Sequence, residues 1–151
     1  MKRTLLILVL FLATNAFAQE STAIPSLQGI SIGSTIDDVR AKLARIGTGG
    51  GRDTRDGGRK EAWALKETEF ATLAFKTNRA GQVVWISAFA RPGKELPFDK
   101  LGDPAKASSF SKSQAIWNVE PAKGGYRLVA KGVEGKASVV YLLSLDFPAV
   151  E

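Results

Sequence analysis

The complete absence of cysteine most constrains what this chain can fold into, because neither a disulfide nor a thiolate-bound metal can support its core. Histidine is absent as well. Together the two absences exclude Ser-His-Asp and Cys-His nucleophilic sites, Cys/His zinc sites and haem or copper ligation through histidine. The fold must therefore be held by packed apolar side chains, and we expect no cofactor.

Residues 1–18 have the pattern of a cleavable export signal. Lys2 and Arg3 precede an apolar run from Thr4 to Ala13, and an Ala-Phe-Ala sequence ends at Ala18. A basic start, a short apolar core and small residues at the end define a secretory signal, and this core is too short for a permanent membrane span. We expect a periplasmic or secreted product; the alternative is an uncleaved membrane anchor.

Cleavage after Ala18 would leave Gln19 to Glu151, a length typical of one domain. Removing Lys2 and Arg3 from the chain's 21 basic and 15 acidic residues leaves 19 against 15, a net charge of +4. That charge is mild and typical of plain solubility, so no nucleic-acid partner is expected. Since no cysteine is available for lipid attachment, we also expect no stable membrane insertion of the product.

A single domain is expected over residues 28–147, after a flexible polar segment at 19–27. It should open with a helix, because Thr35 can cap the first turn and the Asp38 carboxylate can accept a hydrogen bond from the Thr35 N–H. Gly47 should end this helix. Its apolar residues recur with helical spacing and form one stripe: Ile36, Val39, Leu43 and Ile46.

The segment from Thr48 to Lys60 is rich in glycine and has no apolar side chain, so we expect an exposed mobile loop. It lacks the ending of a phosphate-binding loop and the spacing of a calcium-binding loop. Strand-like runs follow on both sides of a short helical stretch at Pro97 to Gly102. The runs are Glu61–Glu67, Phe70–Thr77, Gln82–Phe89, Ala115–Glu120, Tyr126–Lys131 and Ser138–Asp146.

These elements predict an α+β fold in which the N-terminal capped helix packs on an antiparallel sheet of about six strands. Two runs of the first half match runs of the second: Leu73–Lys76 with Leu128–Lys131, and Val83–Ile86 with Val139–Leu142. The halves, residues 29–91 and 92–147, are therefore either tandem helix-plus-three-strand units or unrelated amphipathic hairpins.

Strand alternation predicts a partner-binding site on the sheet face that points away from the helix. If Leu73 and Ile86 face the helix, their strand neighbours face the other way, and the internal match adds the second hairpin. The residues expected there are Trp85, Phe89, Tyr141 and Leu143, with Arg127 and Lys131 at the rim. Aromatic side chains flanked by cations are typical of protein-binding surfaces. The alternative is that other elements cover this face and the aromatic residues belong to the core.

The residues from Gly29 to Val39, followed by Leu43 and a closing glycine, resemble the opening motif of the SmpA/OmlA (BamE-like) and β-lactamase-inhibitor-protein-like domains. In those domains the helix precedes an antiparallel hairpin whose turn carries glycine before a Val-rich strand, as Gly81–Val84 does here. The resemblance implies a fold more than a function. BamE-like proteins are anchored through an N-terminal cysteine and the inhibitor proteins carry disulfides, so neither role is transferred to this cysteine-free chain.

The sequence therefore predicts a non-enzymatic, soluble, exported module that binds another envelope or secreted protein. Adhesion to an anionic envelope polymer is one alternative, and a carboxylate-dependent hydrolase of envelope polymers is another. The acidic residues considered for hydrolysis are Glu61, Glu67, Glu69, Asp99 and Asp103. All lie in polar contexts, where carboxylates keep ordinary pKa values and make poor general acids. No catalytic or metal-binding residue is assigned.

Overall fold

The computed structural model of the protein describes residues 22–120 and 124–146. The predicted export signal at residues 1–18 lies outside the described residues, as do residues 19–21 of the segment expected to be flexible. Helix α1, Ile36–Ile46, has 11 residues. In the part of the chain that the structure describes, no helix is long and apolar enough to cross a membrane.

Within residues 22–120 and 124–146, a nine-stranded antiparallel sheet forms the frame of the fold. Its strands are β1 (Gly47–Asp53), β2 (Arg59–Leu65), β3 (Phe70–Thr77), β4 (Val83–Ala90), β5 (Leu96–Pro97), β6 (Ser109–Phe110), β7 (Gln114–Val119), β8 (Tyr126–Val133) and β9 (Lys136–Ser144). The main path runs β1-β2-β3-β4-β9-β8-β7-β6, and β5 pairs with β9. A short helix, α2 (Phe98–Leu101), follows β5. The fold is α+β, but with more strands than the expected six.

Helix α1 follows Thr35, whose hydroxyl accepts a 3.3 Å hydrogen bond from the Asp38 N–H. The reciprocal bond, from the Thr35 N–H to the Asp38 carboxylate, does not occur among the described residues, so half of the expected capping box is present. Val39 and Leu43 of the apolar stripe are fully buried. At its C-terminus the helix runs directly into β1 through Gly47, which is in extended conformation.

The prediction of a mobile loop from Thr48 to Lys60 is wrong, because this segment forms β1, a tight turn and the start of β2. The alternating glycines explain the pairing. A Cβ atom on any of them would collide with a carbonyl oxygen of β2: Gly47 with Ala64, Gly49 with Ala62 and Gly51 with Lys60. Only glycine lets the two backbones approach this closely. The missing apolar side chains thus reflect close main-chain pairing and not mobility.

The core lies between one face of the sheet and the elements that pack on it, which are α1, α2 and residues 22–30. We term this the covered face. Cross-strand pairs of buried residues line it from β2 to β7: Trp63 with Leu73, Phe75 with Ile86, Ile86 with Leu142, Leu142 with Leu128, and Leu128 with Trp117.

The segment before α1 is packed from Thr22 onward, which differs from the flexibility expected for residues 19–27. Ala23 and Leu27 are 2% exposed. The Tyr126 hydroxyl donates a 2.9 Å hydrogen bond to the Ala23 carbonyl, and the Ile24 N–H donates to the Leu101 carbonyl. The 11-residue helix α1 and the short helix α2 cannot cover the whole sheet, so residues 22–30 complete the cover.

The strand order is symmetric about the central β4–β9 pair. Its register pairs Trp85 with Leu143, Ile86 with Leu142 and Ser87 with Tyr141. A two-fold rotation about the middle pair therefore exchanges Trp85 with Tyr141, which is the alignment given by the internal sequence match. The sequence match sets Lys76, which lies opposite Trp85, beside Lys131. In the structure Val129 lies opposite Tyr141, so in β8 the sequence match is shifted by two residues. This arrangement is compatible with tandem units, which remain a hypothesis.

Candidate partner-binding face

The second face of the sheet points away from α1, α2 and residues 22–30. We term it the open face and define it by three rows of residues that the strand registers place side by side. The rows are Arg52, Lys60, Lys76, Trp85, Leu143, Arg127 and Asn118; Gly50, Ala62, Ala74, Ser87, Tyr141, Val129 and Ile116; and Thr48, Ala64, Thr72, Phe89, Val139, Lys131 and Gln114.

The large predicted site residues lie together at the centre of the open face. Trp85, Tyr141 and Leu143 are partly buried, and Phe89 is 46% exposed. The rings of Trp85 and Tyr141 have centroids 6.4 Å apart and planes tilted by 38°. Strand alternation therefore placed these side chains on one face as expected; their role in binding stays a prediction.

Arg127 and Lys131 also lie on the open face, and both are exposed. The Arg127 guanidinium donates a 2.8 Å hydrogen bond from Nε to the Asn118 side-chain oxygen. Both residues belong to β8, which is flanked by β9 and β7. They thus border the aromatic centre on the β8 side, as expected for rim residues; their role in binding stays a prediction.

A second group of cations, which the sequence analysis missed, lies on the other side of the aromatic centre. The Lys60 ammonium lies 5.4 Å from the centroid of the Trp85 ring, and Lys76 pairs with Asp56 at 2.7 Å. The hydrogen bonds from Lys76 and Thr54 hold the pKa of the Asp56 carboxyl well below its ordinary value. Arg52 completes this group. All charged residues in the three rows are therefore basic.

No known protein family, curated protein or solved structure matches this chain. The resemblance to the SmpA/OmlA (BamE-like) and β-lactamase-inhibitor-protein-like domains therefore stays a prediction.

The carboxylates considered for hydrolysis belong to different elements and have separate contacts. Glu67 and Glu69 are exposed between β2 and β3, and the Glu69 carboxylate accepts a 3.0 Å hydrogen bond from Gln28. Asp99 is exposed on α2, and the Asp103 side chain accepts a hydrogen bond from the Ala105 N–H. Among the described residues no group of acidic side chains could hold a metal ion.

Glu61 is the buried member of this set and lies on the covered face, 1% exposed. Its carboxylate accepts hydrogen bonds from Arg40 Nε at 3.0 Å, Arg59 Nε at 2.6 Å and Trp63 Nε1 at 3.1 Å. Burial raises the pKa of Glu61, but these hydrogen bonds outweigh burial and hold the pKa below its ordinary value. A carboxylate that stays ionised and is enclosed by its donors is suited to stabilising the fold and makes a poor general acid.

Proposed function

We propose that this protein is a non-enzymatic binding module of the periplasm or the extracellular space that recognises another protein through the open face. The observation that carries this proposal is the cluster of Trp85, Tyr141 and exposed Phe89 at the centre of a sheet face away from the covering helices. Exposed apolar surface costs about 25 cal/mol per Å² relative to burial. Contiguous exposed apolar surface rimmed by polar groups is typical of interaction sites.

The sheet also gives these side chains the rigidity that a binding site needs. Trp85 and Tyr141 belong to paired strands in the middle of the sheet order, so their backbones are held on both sides. An ordered aromatic side chain loses little conformational freedom when a partner covers it. Trp, Tyr and Arg are the residue types that contribute most to protein interfaces, and the open face presents all three near its centre.

Site-specific photo-crosslinking tests this proposal. A photoreactive phenylalanine analogue at position 89 should give a discrete adduct with one envelope or secreted protein, while the same analogue at Lys100, on α2 across the sheet, should not. Trp85→Ala should reduce the adduct about tenfold or more, because truncating a central aromatic anchor typically costs about 2 kcal/mol or more of binding free energy. Equal capture from both positions, or an adduct indifferent to Trp85, would refute the proposal.

Adhesion to an anionic envelope polymer is the second candidate function, favoured by the exposed basic residues Lys60, Arg127 and Lys131 in the rows of the open face. It predicts binding that weakens steeply with salt, because exposed charges are screened within about 8 Å at physiological ionic strength. It also predicts that Trp85→Ala has little effect while removal of Lys60 has a large one. Comparing these two variants separates polymer adhesion from protein recognition.

A further inference from the structure

We infer that the partner of the open face presents an acidic amphipathic helix, which lies along β4 and β9 with carboxylates on both sides of its apolar stripe. This inference rests on the proposed function and specifies the kind of partner.

Charged residues lie on both sides of the open face and leave its centre uncharged. The open-face residues of the two central strands are apolar or carry a hydroxyl: Trp85, Ser87, Phe89, Val139, Tyr141 and Leu143. Cations border this band on both sides, with Lys60 and Lys76 on β2 and β3 and Arg127 and Lys131 on β8. The face is thus an apolar band between two cationic borders.

The width of this band matches that of an α-helix. Neighbouring strands lie about 4.8 Å apart, so the four intervals from β2, which carries Lys60, to β8 span roughly 19 Å. The Lys60 side chain leans inward, because its ammonium lies 5.4 Å from the centroid of the Trp85 ring on β4. The two cationic borders are therefore separated by about the three intervals from β3 to β8, roughly 14 Å. An α-helix with its side chains is about 10–12 Å wide, and its flanking residues reach a little further. A helix along the band would bury its apolar stripe on Trp85 and Tyr141 and bring its flanks to both borders. A single extended strand covers about one interval and would reach one border at most.

The cationic borders determine which residues the partner must carry beside its apolar stripe. Lys60, Arg127 and Lys131 are exposed, and no row of the open face contains an acidic residue. Carboxylates on both sides of the partner's stripe would complement them and suppress partners with basic flanks. A second copy of this chain fits poorly, because its own open face would set cations against cations. A uniform polyanion fits poorly as well, since the aromatic band separates the two groups of cations.

Synthetic peptides of about 18 residues, or five helical turns, test the inference without knowledge of the natural partner. One peptide carries a leucine stripe flanked by glutamates, a second has lysines at the flanks, and a third has the first peptide's composition in scrambled order. Poly-glutamate serves as the uniform polyanion. We expect the purified protein to bind the glutamate-flanked helix at least about tenfold more tightly than the others, measured by fluorescence anisotropy with labelled probes.

Charge reversal on each border sharpens the test. Lys60→Glu and Arg127→Glu alter opposite borders, and each should weaken binding of the glutamate-flanked peptide by about tenfold. Lys100→Glu on α2, across the sheet, is the matched control and should leave binding unchanged. An effect at one border alone would contradict a helix that spans the band. Circular dichroism on every variant checks that the fold is intact.

The remaining outcomes each overturn a defined part of the inference. Equal binding of the lysine-flanked peptide would exclude an acidic partner, and equal binding of poly-glutamate would replace the helix by a polyanion. Failure of every peptide to bind at about 1 mM, an affinity too weak for recognition, would overturn the inference outright. The proposed function is decided separately by crosslinking from position 89, so its failure can be told apart from each of these results.

Discussion

The covered and open faces are made by alternate residues of the same strands, yet their large side chains differ in exposure, although small open-face residues such as Ser87 are buried. On β4, Ile86 and Ala88 are fully buried on the covered face, whereas Trp85 is partly buried and Phe89 is 46% exposed on the open face. Backbone pairing and strand position are shared, so they cannot cause the difference. What differs is the presence of α1, α2 and residues 22–30 on one side. Among the described residues, other elements of the fold cover one face and leave the second face without such a cover.

Charge follows the same division. Glu61 on the covered face is buried and is bonded by Arg40, Arg59 and Trp63, because a buried carboxylate is costly unless it is paired. On the open face, Lys60 and Lys131 are exposed and can keep their hydration. The charge of Glu61 is therefore structural, whereas hydrated charges such as those of Lys60 and Lys131 are expected to contribute little to the stability of the fold.

The largest expected effect separates the two faces directly. Phe75→Ala should lower the free energy of unfolding by about 3–5 kcal/mol, because it leaves a cavity in the core. Tyr141→Ala, on the open face, should lower it by about 1 kcal/mol or less, as for substitutions outside the core. Urea denaturation of both variants checks this. Similar losses would mean that the open face is core, and the proposed function would fail with it.

Glu61→Gln should have the next largest effect, about 1–3 kcal/mol, because it weakens the charge-assisted hydrogen bonds that join α1 to β2. Both arginines are partly exposed, so water screens the pair and the loss should stay below that of a fully buried ion pair. Denaturation at pH 7 measures it. No loss would show that Arg40 and Arg59 can be solvated without Glu61, and that the network contributes nothing to stability.

The same carboxylate predicts a dependence on pH. The folded pKa of Glu61 is depressed, so its stabilisation is complete above the unfolded pKa of about 4.3 and is lost as pH falls through the folded value. Glutamine does not titrate. The stability difference between the wild type and Glu61→Gln should therefore shrink as pH falls from 7 to 3. A stability difference that stays constant over this pH range would show that the negative charge of Glu61 does not stabilise the folded state.

Strand β1 extends the comparison to two neighbouring glycines. A Cβ on Gly49, on the covered side, would meet Trp63 Cα at 2.6 Å, whereas a Cβ on Gly50, on the open side, has no neighbour within 4 Å. We expect Gly49→Ala to lower the free energy of unfolding by about 1–3 kcal/mol through overpacking. Gly50→Ala should leave it within about 0.5 kcal/mol or raise it, since alanine restricts the unfolded chain. Equal effects in urea denaturation would contradict the close approach.

These glycines also show where prediction from sequence reached its limit. Helix α1 and the hairpins β3–β4 and β8–β9 could be predicted, because apolar residues recur in them with a definite period. Strand β1 could not, because its pairing depends on the absence of side chains. The alternation of Gly47, Gly49 and Gly51 was the available signal. The two-residue strands β5 and β6 carry no pattern at all and are set by their neighbours.

The candidate site was predicted in part for the same reason. Alternation places Trp85 and Phe89 on one face, and the internal match adds Tyr141. The alternation in β2 also predicts that Lys60 lies on the open face, because Trp63 and Leu65 face the core and Lys60 is an odd number of residues away from both. The position of Arg52 cannot be predicted in this way, because its segment has the composition of a loop. Only the contribution of Arg52 to the cationic group thus depends on a strand that the three-dimensional pairing reveals.

The smallest expected effect concerns the cation nearest the aromatic centre. Lys60→Met keeps the apolar stem beside Trp85 and removes only the charge, and an exposed cation–π contact is worth about 0.5–1 kcal/mol at most. We therefore expect a loss of about 0.5 kcal/mol or less, and Lys131→Met, a matched change on the other border, should cost no more. Urea denaturation at low and high salt measures both variants. A loss well above 1 kcal/mol at Lys60 would mean that this cation helps to hold the fold, and it could then no longer be counted among charges left for a partner. If both variants keep the free energy of unfolding of the wild type but bind the glutamate-flanked helix more weakly, these two charges contribute to recognition and not to stability.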